Sequence, residues 1–303
     1  MAKMSACRWS VLETDAGWRF IVALHKHKEN FMHIVTGQPF CVSVNGSRLN
    51  VRVDGPEGAP WMVFSNSLSS NITAWDEQVA LFAPQFRFLR YDQRGHGGSD
   101  APGAPFTMDA LADDLLALLE RFAIRNAVLV GVSMGATTVL RCAAREPSRC
   151  AGVVACDGMW CSASGTAAIW EERFTVIREQ GMQGLVEPTV TRWFQPEFFS
   201  RKPEVVEKVR GMIAETSPEG YIACATALQQ YDFRADSPVY PVPVLYAVGA
   251  QDGDLPAIMR EMHENTPDSR YTVIGQCGHL PNIEQPEILH QAMDAFVRQI
   301  GVI

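Results

Sequence analysis

The chain has 303 residues, of which 47% are hydrophobic and 20% charged, a balance typical of a globular protein with one large domain or two smaller ones. Lysine and arginine number 26 against 34 aspartates and glutamates, which gives a formal net charge of −8. Because no block of basic residues accumulates, the composition argues against a nucleic acid or an anionic membrane as a partner.

The first 31 residues carry no clear helical or strand periodicity. Their apolar run FIVAL (20–24) is shorter than the roughly 7–15 residues of a signal-peptide core, and no small-residue cleavage site follows it. Nowhere does an apolar run approach the ~18 residues of a membrane span. We therefore expect a cytoplasmic chain with no membrane partner. Residues 1–31 are expected to form a poorly ordered N-terminal extension that precedes a natural start at Met32.

Eight cysteines are scattered along the chain, and none has the CxxC or CxxH spacing of a zinc or thioredoxin-like site. A chain of this length needs no disulfide to stabilise its core. The pattern predicts reduced thiols in a reducing compartment, with no metal site.

The first elements are strands. FCVSV (40–44) and LNVRV (49–53) flank the turn signal NGS and predict a β-hairpin. A strand follows at WMVFS (61–65), then an amphipathic helix near 75–82 and a strand at 86–92, which ends in the glycine-rich RGHGGSDAPG. From here onward the chain reads as an alternation of strands and helices.

The next segment continues that alternation. A helix predicted over 107–122 has four leucines on one face, namely Leu111, Leu115, Leu118 and Leu119. The strand NAVLVGV, the helix GATTVLRCAAREP and the strand CAGVVACD follow in order. Continuously apolar strands between helices predict a parallel sheet covered by helices on both faces.

From 158 to 237 the sequence predicts helices rich in aromatic residues and methionine, and it contains no strand signal. VPVLYAVG (242–249) resumes the sheet, and a helix from about Pro256, the strand RYTVIG and a last helix complete it. A helical block between two strands of one sheet is more readily a cap than an independent domain. We predict a core of 32–157 and 238–303 with a helical cap of 158–237.

Ser133 lies where the strand NAVLVGV meets the following helix, with Gly131 and Gly135 two residues to either side. G-x-S-x-G in a strand–helix context is the signature of a nucleophile elbow, a sharp turn that lifts the serine hydroxyl off the sheet. Such a turn has no room for side chains at the glycine positions, and the helix that follows aims its free N–H groups at the site. The pattern predicts Ser133 as the nucleophile and the Met134 amide as an oxyanion donor. A plain tight turn with a satisfied hydroxyl is the alternative.

A serine nucleophile needs a base, and the base needs an orienting carboxylate. His279 follows the last strand on the loop QCGHLPN and is the predicted base, whereas His96 in RGHGGS is expected only to shape the pocket rim. Asp252 is the preferred acid because it comes three residues after the glycine that ends its strand. Asp254 and Asp157 are the alternatives. The chain order Ser…Asp…His matches the one expected for this scaffold.

The loop after WMVFS supplies a second oxyanion donor in this interpretation. It reads NSLSSN (66–71) and can set the Leu68 amide opposite the elbow, with Asn66 and Ser67 holding the turn. An ordinary Ser/Asn-rich loop is the alternative.

Five motifs carry a family resemblance, namely SNSLSSNITAW, RYDQRGHGGSDAP, GVSMGA, RWFQPEF and GHLPNIEQPE. Over about 40–296 the chain resembles the α/β-hydrolases and, within them, the 3-oxoadipate enol-lactonases, to which SNSL and RWFQPEF point most narrowly. The resemblance implies a mostly parallel eight-stranded α/β-hydrolase sheet with an inserted helical cap. It implies the same nucleophile, acid, base and oxyanion amides as above, with no cofactor.

The resemblance also identifies IWEER in the cap as the W-x-x-R motif that faces the substrate in such lactonases. Trp170 and Arg173 are three residues apart and so share one helix face. Arginine offers a planar fork to a carboxylate, and tryptophan offers an apolar wall beside it. We expect both to bind the substrate; a surface arginine packed over a core tryptophan is the alternative.

The sequence therefore predicts hydrolysis of a small carboxylated lactone or ester through an acyl-enzyme, and the resemblance links this activity to aromatic catabolism. Alternatives among enzymes are a broad carboxylesterase, a carbon–carbon bond hydrolase of meta-cleavage products, and a cofactor-free perhydrolase. The alternative outside enzymes is a small-molecule receptor built on the same fold.

Overall fold

The computed structural model describes residues 36–101, 103–236 and 240–303. The expected N-terminal extension, residues 1–31, lies outside these ranges. Within them the chain forms one eight-stranded sheet with helices and a helical insert, so the predicted fold class is confirmed.

The strands of the sheet are β1 (Pro39–Val44), β2 (Ser47–Asp54), β3 (Trp61–Ser65), β4 (Arg87–Tyr91), β5 (Ala127–Val132), β6 (Cys150–Cys156), β7 (Val244–Gly249) and β8 (Ser269–Ile274). They lie in the order β1-β2-β4-β3-β5-β6-β7-β8. Strand β2 pairs antiparallel with β1 and β4, whereas every pairing from β4 to β8 is parallel. The sheet is therefore mixed but mostly parallel, as predicted.

The turn of the β1–β2 hairpin is made by Asn45 and Gly46, with φ angles of 46° and 76°. A two-residue turn with positive φ at both positions matches the twist of the flanking strands, and Asn-Gly is a preferred pair for it. Val44 pairs with Ser47 across this turn, as the NGS signal predicted.

The helices of the described residues are α1 (Asp76–Phe82), α2 (Met108–Arg121), α3 (Met134–Arg145), α4 (Ala167–Gln180), α5 (Gln183–Trp193), α6 (Pro196–Arg201), α7 (Pro203–Glu215), α8 (Pro218–Leu228), α9 (Leu255–Glu264), α10 (Pro281–Glu284) and α11 (Pro286–Gln299). Five of them, α4 to α8, are inserted between β6 and β7. None of the helices in the described ranges is long and apolar enough to cross a membrane.

The core lies on both sides of the sheet. Every residue of β4, β5 and β7 is buried, which requires that helices cover both faces. Helix α3 lies against β5 and β6, and helices α9 and α11 lie against β7 and β8. The predicted leucine face of α2 is buried as well, with each of its four leucines at most 1% exposed.

The parallel strands bring the predicted site loops to one edge of the sheet. Ser65 at the end of β3 pairs with Gly131 of β5, and Gly249 at the end of β7 pairs with Ile274 at the end of β8. Because these strands run in one direction, the loops after β3, β5, β7 and β8 all leave the same edge. These loops carry the predicted oxyanion, nucleophile, acid and base residues.

A buried arginine ties the hairpin to the segment after the β3 loop. Arg90 on β4 is 1% exposed, and its guanidinium lies 2.6 Å from an oxygen of Asp54 and 2.6 Å from an oxygen of Asp76. It also donates to the Ile72 carbonyl at 3.1 Å. These contacts hold the start of α1, and with it the end of the predicted oxyanion loop, against β4.

We expect the Arg90→Met variant to lose about 1–3 kcal/mol of unfolding free energy, because the buried hydrogen bonds of its guanidinium are lost. The loss is limited because Arg52 still pairs with Asp54 and Lys208 still pairs with Asp76. Urea unfolding at neutral pH measures the loss. The matched control is Arg48→Met, whose partner Asp100 and whose own side chain are 48% and 60% exposed. That change should cost less than about 1 kcal/mol. Equal losses in the two variants would contradict the role given to Arg90.

Candidate active site

Ser133 forms a strained turn between β5 and α3. Its φ and ψ are 56° and −119°, a conformation that costs a side-chain-bearing residue of order 1–3 kcal/mol. The backbone is held there because its N–H donates to the Cys156 carbonyl on β6 at 2.8 Å. This is the strand–turn–helix geometry expected of a nucleophile elbow.

The two glycines of the elbow are required by close backbone contacts. A Cβ at Gly131 would overlap the carbonyl oxygen of Gly135, and a Cβ at Gly135 would overlap the carbonyl oxygen of Ser65 on β3. The first turn of α3 is therefore pressed against the end of β3. This contact explains why the sequence has glycine at both positions.

The predicted oxyanion amides belong to the same region. Leu68 lies in the loop after β3, Met134 is the first residue of α3, and both line one cavity together with Ser133. Helix α3 has no acidic residue in its first turn, so the positive end of its dipole is not neutralised there. Within the described residues, neither amide N–H donates a hydrogen bond to another group, which leaves both for a ligand oxygen.

The loop that carries Leu68 is held by buried hydrogen bonds. The side-chain amide of Asn66 donates through Nδ2 to the Tyr91 carbonyl at 2.8 Å and accepts through Oδ1 from the Trp75 indole at 2.9 Å. Gln93 donates to the Asn66 carbonyl at 2.7 Å. The loop is thereby attached to the end of β4 on one side and to the helical turn at Trp75 on the other.

His96 supports the other side of this loop. Its Nε2 accepts the N–H of Ser69 at 2.9 Å, and its Nδ1 donates to the Arg94 carbonyl at 2.9 Å. Ser69 itself has a φ of 63°, so its conformation depends on such support. The ring is 1% exposed, and burial lowers its pKa to about 4 although the bond to Arg94 opposes the shift. The imidazole is therefore neutral, with the proton on Nδ1.

His96 thus does more than shape the pocket rim, which was the expectation from sequence. Its contact with Ser69 spans 27 residues of chain, and no local pattern shows it. The available signal was the glycine-rich RGHGGS loop directly after a strand.

His279 is oriented by Asp252. Its Nδ1 and the Oδ2 of Asp252 are 2.5 Å apart, and the two residues are 5% and 6% exposed. Burial opposes ionisation of Asp252, but the charge and hydrogen bond of His279, together with Arg192 at 3.8 Å, outweigh it and hold the pKa of this carboxyl below its usual value. With its Nδ1–H donated to the carboxylate, the imidazole has its lone pair on Nε2. Asp254 is exposed and immediately precedes helix α9, so it is not placed for this contact.

The loop of His279 is also hydrogen-bonded to the helical insert. The N–H of His279 donates to the Trp193 carbonyl at 2.8 Å, and the two rings stack with centroids 6.1 Å apart. The buried carboxylate of Glu284 accepts the N–H of Gly278 at 2.7 Å and the N–H of Gln195 at 2.8 Å. The end of α5 and the loop of the predicted base are therefore joined by hydrogen bonds.

The predicted residues meet at a cavity of about 290 Å³. The side formed by the loops of the sheet includes Ser133, Leu68, Met134 and His279; the side formed by the helical insert includes Trp170, Arg173, Arg192 and Tyr221. Of the preferred catalytic, oxyanion and substrate-binding residues, Asp252 alone is not in the lining, because it lies behind His279. The volume is that of a small-molecule site.

The side of the cavity formed by the helical insert carries two positive charges, those of Arg173 and Arg192. The Arg173 guanidinium lies 5.1 Å from the ring centroid of Trp170, and its Nη1 donates to the Tyr221 hydroxyl at 3.3 Å. Burial raises the pKa of Tyr221, while the charges of Arg173 and Arg192 oppose the rise. Within the described residues no carboxylate pairs with Arg173, so its charge is available to an anionic ligand. Sequence reasoning assigned no role to Arg192, although it begins the RWFQPEF motif, or to Tyr221, which lies in none of the quoted motifs.

In the described part of the chain, the residues that could together hold a metal ion are Asp157, Asp252 and His279. One donor atom of each lies within 4.8 Å of the others. The Nδ1 of His279 is engaged with Asp252, so the cluster fits an imidazole–carboxylate pair better than a coordination sphere.

The chain belongs to the alpha/beta hydrolase fold family, whose sequence profile matches residues 60–286. It is 34% identical over 254 residues to 3-oxoadipate enol-lactonase 2 of Acinetobacter baylyi, which covers 84% of this chain and 94% of that relative. The motifs indicated a resemblance to the α/β-hydrolases and, within them, to the 3-oxoadipate enol-lactonases. Both are confirmed: the chain is an α/β-hydrolase related to 3-oxoadipate enol-lactonases.

Two solved structures are similar over most of the chain. The enol-lactonase from Burkholderia xenovorans LB400 superposes with a TM-score of 0.81 at 34% identity, covering 85% of this chain and 99% of its own. A thermophilic esterase from Thermogutta terrifontis, solved with malate bound, has a TM-score of 0.79 at 30% identity, covering 87% and 99% respectively.

We expect the His96→Phe variant to change the pH dependence of stability. The folded pKa of about 4 lies below the ordinary 6.5, so between these values the unfolded chain binds the extra proton. The wild-type protein therefore loses up to ~3 kcal/mol through this group as the pH falls from about 6.5 to 4. The variant should be less stable at pH 7.5, and its deficit should narrow toward pH 4.5 in urea unfolding.

The control for this experiment is His263→Phe, which removes a half-buried imidazole bonded to Ser269, outside the cavity lining. The difference in unfolding free energy between His263→Phe and the wild type should not become smaller from pH 7.5 to pH 4.5. A His96→Phe deficit that stays constant between the two pH values would contradict a buried neutral His96.

Proposed function

We propose that the protein is a serine hydrolase that opens small carboxylated lactones of the 3-oxoadipate enol-lactone type through an acyl-enzyme. The observation that carries this proposal is the meeting, in one small cavity, of the Ser133 elbow, the Asp252-oriented His279 and Arg173, which has no carboxylate partner among the described residues. The names of the two enol-lactonases that the chain resembles at 34% identity support the same substrate type.

In the proposed mechanism the hydroxyl of Ser133 attacks the lactone carbonyl while Nε2 of His279 accepts its proton. The negative charge that develops on the carbonyl oxygen is held by the Met134 and Leu68 amides, and such donors are typically worth about 3–4 kcal/mol each. His279 then returns the proton as the ring C–O bond breaks. In an enol-lactone the leaving group is an enolate, which becomes a ketone tethered to the acyl group. Water, activated by the same imidazole, releases the product.

The cap supplies the selectivity in this proposal. The segment 158–237 is taken as a cap over the core formed by 32–157 and 238–303. Arg173 offers a carboxylate two parallel N–H donors, the Trp170 ring forms an apolar wall beside it, and Tyr221 adds a hydroxyl. The substrate is therefore a small anion whose carboxylate lies at the cap end while its carbonyl lies at Ser133. The protein is proposed to act in the cytoplasm, without a cofactor.

A broad carboxylesterase is the second candidate. It is favoured by the 30% identity to the Thermogutta terrifontis esterase, whose structure has the dicarboxylate malate bound. A substrate panel separates the candidates: carboxylated lactones, neutral esters of similar size, and ring-cleavage dienes. The enol-lactonase proposal requires that the lactones have the highest kcat/KM.

We expect Ser133→Ala to lower p-nitrophenyl ester and lactone turnover by roughly 10⁴-fold or more, because no nucleophile remains. Single-turnover mass spectrometry should detect an acyl adduct on the wild-type serine and none on the variant. Ser200→Ala is the control, because this exposed serine of α6 is not in the cavity lining. Wild-type rates in Ser133→Ala would refute the nucleophile.

We expect Arg173→Ala to raise KM for carboxylated lactones by about 10- to 100-fold, the equivalent of one charge-assisted hydrogen-bonded pair. KM for neutral esters should change by less than about threefold, because they lack the charge that Arg173 binds. Arg178→Ala, an exposed position on the same helix α4, should affect neither substrate. Equal effects of Arg173→Ala on charged and neutral substrates would remove the carboxylate-binding role.

A further inference from the structure

A second carboxyl group, not used by the proposed mechanism, lies beside the predicted acid. Asp157 follows β6, is 1% exposed, and adopts a left-handed φ of 45°. Its Oδ1 accepts the N–H of Gly249 at 2.9 Å. Its Oδ2 is buried, and no donor among the described residues reaches it. A buried carboxylate oxygen without a donor is costly, so this atom needs a partner.

The position of Asp157 restricts its charge. One atom each of Asp157, Asp252 and His279 lie within 4.8 Å of one another. Two like charges about 4 Å apart repel by about 4 kcal/mol at the effective dielectric constant of ~20 found in proteins. Two adjacent buried carboxyl groups therefore titrate as a pair and hold one proton between them over a wide pH range.

The neighbours decide which carboxyl holds the proton. Asp252 faces two cationic or donor groups, His279 at 2.5 Å and Arg192 at 3.8 Å, whereas among the described residues Asp157 accepts one hydrogen bond, from the Gly249 N–H. Burial raises the pKa of Asp157 well above its usual value, and the charge of Asp252 adds to the rise. The hydrogen bond from Gly249 and the charge of Arg192 oppose this rise without overcoming it.

Two thiols also face Asp157, one on its own strand and one in the loop of the predicted base. They belong to Cys156 and Cys277, and burial raises the pKa of both, so they bring no charge to the pair. The anion of the pair therefore lies on Asp252.

We propose that Asp157 is a positioning residue that holds a proton on Oδ2 and donates it to the Asp252 carboxylate in a hydrogen bond. The proton gives Oδ2 the partner it otherwise lacks. It also gives Asp252 a donor opposite the imidazole, which fixes the carboxylate that orients His279. The group of three then has a single negative charge, so the imidazole is not held protonated by a second anion. This inference rests on the proposed function to the extent that Asp252 and His279 are catalytic.

The experiment compares two substitutions at one position. Asp157→Leu removes the donor, and we expect kcat for a neutral ester to fall at least about tenfold. Because Asp157 also lines the cavity, KM is compared in the isosteric Asp157→Asn, where it should change less than about threefold. Asp157→Asn keeps a neutral donor of the same shape and should recover most of that loss. A kcat for Asp157→Leu equal to that of the wild type would overturn the positioning role.

The pH profile tests the charge. The acid limb of kcat/KM reports protonation of the base, and in Asp157→Asn its midpoint should lie within about 0.3 pH units of wild type. If Asp157 were ionised, its replacement by a neutral amide would lower that midpoint by about one unit or more, because an anion that favours the imidazolium is lost. Such a downward shift would overturn the proposal. Asp254→Asn, the exposed carboxyl of the same loop as Asp252, is the control and should not move the midpoint.

A spectroscopic measurement keeps the proposal independent of catalysis and of the stability of the leucine variant. The infrared difference spectrum between the wild type and Asp157→Asn at neutral pH should contain the carbonyl band of a protonated carboxylic acid. A difference spectrum with carboxylate bands alone would refute the proton. If wild-type protein hydrolysed neither lactones nor esters, the proposed function would fail, while this spectrum would still decide the state of Asp157.

Discussion

The close backbone contact between the end of β3 and the first turn of α3 is the constraint on which the candidate site depends. Glycine at 131 and 135 allows the contact, and Ser133 is held between them at a φ of 56°. The strain is tolerated because β3, β5 and β6 are adjacent strands whose carbonyl and amide groups hold the turn on both sides. The same contact brings the loop of Leu68 next to the start of α3, so one packing arrangement positions both the predicted nucleophile and the predicted oxyanion amides.

Burial decides the protonation states around this elbow. His96 is buried without a carboxylate partner and is neutral, which lets it accept a backbone N–H and hold the Leu68 loop. Asp252 is buried to a similar extent but has His279 and Arg192 as neighbours, so it is ionised. The difference follows from general electrostatics: a buried group retains charge only where an opposite charge or several donors compensate for lost hydration.

The helical insert contacts the loop of the predicted base as well as forming part of the cavity wall. The Trp193 carbonyl accepts the N–H of His279, and Glu284 joins the loop of the predicted base to the start of the segment after α5. The groups of α4 and α8 that line the cavity therefore belong to the same insert that contacts the loop of His279.

The sequence by itself determined the features that local chemistry controls. Alternating apolar strands and helices specified the sheet, Asn45-Gly46 specified the hairpin, and the G-x-S-x-G pattern specified the elbow, because each leaves a pattern within a short stretch of sequence. The contact of Gly135 with Ser65 on β3, which explains the second glycine, is tertiary. The choice between Asp252 and Asp254 was left to the tertiary structure, since both lie in one loop and differ only in which of them is buried against His279. The sequence likewise did not indicate that His96 accepts a hydrogen bond from Ser69 or that Asp157 pairs with Asp252. Both contacts arise from strands that are adjacent in space, and no pattern within a short stretch of sequence records which loop ends the sheet will bring together.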